Sequence, residues 1–197
     1  MFRQISSATA KRMVSDHIIC EKQIAVYTYG LELVFSSSVG IIALALVSFV
    51  GGKPFWWLPY LMGFIPIRLT GGGYHAASHR NCIVLFTVFY AVNLSIFSSF
   101  IIPKETWVLI CTVNVFILFI FSPVEAKNKP LHAAKREKNR KRSLLLGRIN
   151  LSVAVCLSIL QNNIPSWVIL YFAGSTMACV SIMLAVVINT FRKERQS

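Results

Sequence analysis

Arg68-Leu-Thr-Gly-Gly-Gly-Tyr-His-Ala-Ala-Ser-His-Arg-Asn-Cys82 is the stretch on which the reading of this chain turns. It is short, polar and rich in reactive side chains, and apolar blocks flank it at 54–69 and 83–102. Further apolar blocks run over 31–50, 106–122, 144–161 and 166–190. Each is close to the ~20 residues that a helix needs to cross a ~30 Å hydrocarbon layer. Of the 197 residues, 55% are hydrophobic and 14% charged, whereas soluble domains carry about 25% charged residues. The sequence thus predicts an all-α polytopic membrane protein with about six transmembrane helices, forming a single integral membrane domain over 1–197. The second block carries Pro54, Pro59 and Pro66, so a kinked second span is expected.

The net charge of +13 invites a nucleic-acid reading, and its distribution argues against one. If both termini lie on one side of the membrane, that side holds 18 of the 20 Lys and Arg residues, and the opposite side only Lys53 and Lys104. Cytoplasmic loops collect positive charge. The termini, the 68–82 segment and the basic 123–148 loop are therefore expected at the cytoplasmic face of the cell membrane. The charge is topological, and no nucleic-acid partner is expected.

Residues 1–28 mix charge with Met13, Ile18, Ile19, Ile24 and Val26. This predicts an amphipathic helix lying on the cytoplasmic membrane face rather than a cleavable signal peptide. Trp56 and Trp57 fit an interfacial aromatic belt at the other face. The five cysteines are scattered and form no CxxC pair, so neither a metal site nor a cofactor is expected. Lys135-Arg-Glu-Lys-Asn-Arg-Lys-Arg142 is the densest charge run, suited to anionic lipid headgroups of the bilayer or to an acidic peptide.

Within the opening stretch, Gly71, Gly72 and Gly73 predict a sharp bend after the second span. Cys82 would then occupy the first turn of the third, where a helix N-terminus and nearby Arg80 and Arg68 favour the nucleophilic thiolate. His75 and His79 both compete as its base. On one straight helix His75 would sit about 10 Å from Cys82 along the axis. Proton transfer needs about 3 Å or one bridging water, so His75 serves only if the chain folds back. His79, three residues before Cys82, would be its neighbour on a helical turn. Glu32, Ser78 and Asn81 are candidates for orienting the imidazole, and Glu32 reads equally as a charge at the membrane interface.

These residues resemble the accessory gene regulator B (AgrB) family of bacterial quorum-sensing membrane peptidases. The likeness rests on Arg68 followed by Gly71-Gly-Gly-Tyr-His-Ala76, on Cys82 seven residues after His75, on Tyr29-Gly-Leu-Glu32, and on Ser122-Pro-Val-Glu-Ala-Lys-Asn-Lys-Pro-Leu131. The resemblance implies that Cys82 is the nucleophile and His75 its base. Arg68, the three glycines, Lys127, Lys129, Lys135 and Arg136 would shape the site or bind substrate. The implied substrate is a precursor peptide with an amphipathic leader and an acidic C-terminal tail. The enzyme would remove the tail through an acyl-thioester and close the signal into a thiolactone or lactone. A homodimer is also implied. A third catalytic residue does not carry over from the family. The competing reading is a small membrane transporter or exporter of peptides without proteolytic activity, although the inverted repeat of many transporters is missing.

Overall fold

The computed structural model describes residues 2–73, 79–99, 103–124, 132–161 and 164–194, with side chains throughout these ranges except at 79–81, 98–99 and 192–194. The described residues form α1 (Phe2–Ser15), a 3-10 turn (Glu21–Gln23), α2 (Ile24–Val50), α3 (Trp57–Gly71), α4 (His79–Ser99), α5 (Lys104–Phe121), α6 (Ala133–Leu160) and α7 (Ser166–Glu194). The all-α reading holds, with one isolated bridge as the β-pairing among these residues.

Among the described residues, four helices, α2, α5, α6 and α7, are long and apolar enough to cross a membrane. The expected count of six rests on α3 and α4. α3 has 15 residues, about 22 Å of helix, shorter than the ~20 residues of a full crossing. α4 has 21 residues, and Cys82–Phe97 is its apolar stretch among the residues with described side chains. Pro59 sits in the first turn of α3, where its missing N–H has no helical partner to lose, and Pro66 stands in the interior without ending the helix.

The N-terminal arm differs from the single surface helix expected over 1–28. α1 ends at Ser15, His17 takes a φ of 57°, and Ile24 and Val26 belong to α2. α1 packs against α2 and buries the small residues Ser6 and Ala10. The apolar residues that looked like one amphipathic face are thus shared between two helices.

Side-chain pairs fix how the helices run. Tyr60 stacks edge-on against Tyr90 at 4.9 Å, and Phe64 meets Phe86 at 4.4 Å, so α3 and α4 are antiparallel. Ser48 is hydrogen-bonded to Tyr90, and Gly40 faces Ile83, so α2 runs parallel to α4. Asn114 Nδ2 donates to Thr176 Oγ1 at 3.0 Å, and Trp107 packs on Phe172, which makes α5 and α7 parallel. α6 returns against α5: Ser122 bonds Ser143 at 2.6 Å at one end, and Lys104 Nζ donates to the Gln161 carbonyl at 3.3 Å at the other.

α7 is the hub. All three buried apolar clusters include its residues, among them Ala173, Ile182 and Phe172. Its closest partner is α3, where a Cβ on Gly63 would run into the Tyr171 carbonyl and one on Gly174 into the Tyr60 carbonyl. Small residues that let backbones touch are the usual packing device where lipid removes the hydrophobic drive between helices. A polar network locks the crossing: Tyr171 Oη donates to Asn150 Oδ1 at 2.6 Å, Asn150 Nδ2 to Ser175 Oγ at 3.0 Å, and Ser175 Oγ lies 3.4 Å from the Gly63 carbonyl. The outward faces of α2, α5 and α6 expose Phe49, Phe116, Phe119 and Ile159, as a lipid-facing surface would.

Candidate active site

Gly71, Cys82, Ser122 and Ser143 gather at one end of the bundle, because α3 and α5 finish there while α4 and the apolar part of α6 begin. At the opposite end lie Lys104 and Lys53, the latter 4.8 Å above the Trp56 ring. The charge pattern had assigned these two lysines to the side away from the glycine stretch, and the fold separates them in that way.

The expected bend is present. α3 stops at Gly71, and Gly72 and Gly73 take φ values of 75° and 132°, a region that glycine enters without the penalty of a Cβ. Gly72 also forms a parallel bridge with Val124, and the Val124 N–H donates to the Gly71 carbonyl at 2.9 Å. A side chain on Gly72 would collide with the Val124 carbonyl. Beneath the bend, Gly71 packs on Ile182, Ser122 and Leu118. The basic loop therefore leaves α5 already tied to the glycine bend, and the contact joins residues 52 positions apart.

Cys82 lies in the first turn of α4, as expected, and is half-buried. Across from it is Arg68, in the last turn of α3. The geometry is a ladder. Tyr60, Phe64 and Arg68 recur every fourth residue on α3, and Cys82, Phe86 and Tyr90 do so on α4, so each set lines one helix face. With Tyr60 on Tyr90 and Phe64 on Phe86, the next rung is Arg68 on Cys82. The guanidinium lies near enough to Cys82 for a charge on the sulfur to be felt there, and Arg68 Nη1 is fully buried. Cys82 thus stands in a helix first turn on the register position opposite Arg68.

Glu32 is half-buried in α2, eight residues before Gly40, the residue that faces Ile83. That places its backbone about 12 Å along the helix axis from the level of Ile83, and the His75 imidazole that it was expected to orient lies outside the described residues. Lys135 and Arg136 are exposed in the first turn of α6, which continues as a basic helix past Ser143 at this same end. His75, Ser78, Lys127 and Lys129 lie outside the described residues, as do the side chains of His79 and Asn81. Among the described residues, no group of His, Cys, Asp and Glu could hold a metal ion.

The i, i+4 ladder was within reach of the sequence and was missed. Its spacing is visible, but the pairing requires the register of two antiparallel helices. Ser143 and Ser181 carry no local signal and join the site only through the fold; Ser122 and Val124 lie in the loop motif, but their contacts with Ser143 and Gly72 were not readable from it.

The profile of a family described as accessory gene regulator B matches residues 6–191. AgrB-like protein 2 of Clostridium perfringens strain 13 is 27% identical over 172 residues, covering 83% of this chain and 80% of its own length. An AgrB-like protein of C. perfringens strain SM101 is 24% identical over 196 residues, covering 96% and 87%. One from Listeria welshimeri is 24% identical over 126 residues, covering 63% and 61%. No solved structure matches.

Proposed function

Because the chain belongs to the accessory gene regulator B family, we propose that it is a membrane cysteine endopeptidase that trims and cyclises a quorum-sensing precursor peptide. Family membership supports peptide processing at a membrane. The observation that carries the finer reading is the position of Cys82, half-buried in the first turn of α4, opposite Arg68 and beside the glycine bend.

In this mechanism His75 removes the Cys82 proton, and the sulfur attacks the carbonyl at the start of the acidic tail. The tetrahedral adduct collapses as the C–N bond breaks, and the imidazolium returns the proton to the leaving amine. The signal segment remains as an acyl-thioester on Cys82. An internal substrate cysteine then attacks that thioester, forming the thiolactone and freeing Cys82. A serine in its place would give a lactone. The exchange between thioesters is close to isoenergetic, so water is the competitor to be excluded, and a half-buried thiol at a membrane face favours exclusion.

The substrate would meet the bilayer through its amphipathic leader and the enzyme through its tail. The basic first turns of α6, on the same end as Cys82, suit an acidic tail, and Lys127 and Lys129 would add to that charge. Holding both peptide ends on one surface raises effective concentration without further contacts.

The test is coexpression of the precursor with Cys82→Ala and His75→Ala, reading tail release by mass spectrometry. Both changes are expected to abolish release. Release that survives Cys82→Ala would sink the mechanism, and peptide flux into liposomes that persists in that variant would favour transport.

A further inference from the structure

The reading of Cys82 as nucleophile leaves open what stabilises its anion at the edge of an apolar bundle. A thiolate there needs a fixed counter-charge, because desolvation works against the charged form. The α3–α4 ladder supplies one: aromatic rungs stand at Tyr60–Tyr90 and Phe64–Phe86, and the same four-residue register sets Arg68 opposite Cys82 on the next. Of the elements packed around α4, α2 contributes Glu32, two turns from the level of Cys82, and α7 contributes the uncharged Ser181. His79 and Arg80 share α4 itself.

The guanidinium occupies space left by a glycine. At Gly73, the place a Cβ would take is crowded by Arg68 Nη1 and by Ser181 Oγ of α7, the latter 2.6 Å from that point. Ser181 is itself anchored, donating to the Ala178 carbonyl at 2.8 Å. The φ of 132° at Gly73 turns the chain so that its bare face lies against the guanidinium. A residue with a side chain at this position would displace the arginine from its rung.

We propose that Arg68 is the counter-ion that holds Cys82 as a thiolate, and that Gly73 and Ser181 are positioning residues that seat the guanidinium on that rung. This rests on Cys82 being the nucleophile, yet its test is separate from peptide cleavage. It also gives the third glycine of the run a role distinct from making a bend: Gly72 meets Val124, and Gly73 meets Arg68.

The experiment is peptide-resolved alkylation by iodoacetamide of the full chain in nanodiscs containing phosphatidylglycerol, followed from pH 6 to pH 9. Exposed Cys20 serves as internal control, and buried Cys111 and Cys179 report unfolding. In Arg68→Met, Cys82 should react about tenfold more slowly at pH 7 and its profile should move to higher pH, since a close opposite charge shifts such an equilibrium by about one to three units. Arg68→Lys should recover most of the rate, and Gly73→Ala should fall in the same direction as Arg68→Met. An unchanged Cys82 profile in Arg68→Met, with Cys111 and Cys179 protected, overturns the proposal. Should Arg68→Met expose the buried cysteines, Arg68→Gln and Gly73→Ala decide, and undiminished Cys82 reactivity in either folded variant overturns it. Survival of tail release in Cys82→Ala would refute the proposed function while leaving this alkylation result to stand or fall by itself.

Discussion

Adding one methyl group at three glycines should have three different outcomes, because the glycines meet different neighbours. At Gly40 a Cβ would lie 3.9 Å from Ile83 Cγ1, an ordinary contact. Gly40→Ala should therefore stabilise the protein by about 0.5–1 kcal/mol, the backbone-entropy advantage of Ala in a helix. At Gly147 the Cβ would meet Leu118 Cδ1 at 2.9 Å and Val115 Cγ2 at 3.4 Å. These are side-chain ends that can rotate away, so overpacking and propensity should nearly cancel. At Gly63 the Cβ would collide with the Tyr171 carbonyl and approach the Ser175 backbone nitrogen and Oγ at 3.0 Å. Backbone cannot rotate away, so α3 and α7 must part. The cost belongs near the top of the ~1–3 kcal/mol overpacking range, and after the helix-propensity gain it leaves about 2 kcal/mol of net loss, roughly a thirtyfold change in the unfolding equilibrium. Separation would also break the Ser175 contact to the Gly63 carbonyl. Reversible unfolding in mixed micelles, followed by tryptophan fluorescence, gives the three values. A Gly63→Ala protein as stable as Gly40→Ala would refute the close backbone crossing of α3 and α7.

Other perturbations separate the site from its scaffold. Gly72→Ala combines a φ of 75° with a collision on the Val124 carbonyl; it should reduce tail release at least tenfold while leaving exposed Cys20 as reactive as before, measured by coexpression and alkylation. Replacing Lys135, Arg136, Lys138 and Arg140 with Gln should raise KM for the precursor several-fold with a smaller change in kcat, and the difference from wild type should shrink in high salt. A salt-independent loss of kcat would contradict tail capture by α6. Ser143→Ala leaves buried Ser122 without the 2.6 Å partner it has on α6, which should cost about 1–2 kcal/mol in the same unfolding assay; the double change with Ser122→Ala should cost less than twice that, because both polar groups leave together.

Much of the site's location was legible in the sequence for physical reasons. Charge sorts across a membrane, so Lys53 and Lys104 could be placed opposite the glycine run before any contact was known. Three glycines cannot continue a helix comfortably, and Gly72 and Gly73 do adopt positive φ. Cys82 in a helix first turn followed from the apolar block that starts after it. The boundary between α1 and α2 was not legible, because Ile24 and Val26 continue the apolar pattern of the arm although they belong to the next helix. The bounds of the second block were displaced, since Pro54 and Phe55 are apolar but α3 starts only at Trp57 and runs on to Gly71. The α3–α7 crossing was hidden as well: Gly63 and Gly174 read locally as weak helix formers, and their purpose exists only when two backbones meet. The same holds for the Gly72–Val124 bridge.

The most direct test of Cys82 as nucleophile is to look for the acyl-enzyme. A precursor whose internal cysteine is replaced by Ala can be cleaved but cannot cyclise, so the signal segment should accumulate on the enzyme. Intact-mass and peptide-mapping spectrometry should show that segment attached at Cys82, released by hydroxylamine, and missing in Cys82→Ala. Tail release without any adduct on Cys82, or an adduct on Cys20 or Cys156 in its place, would contradict the mechanism.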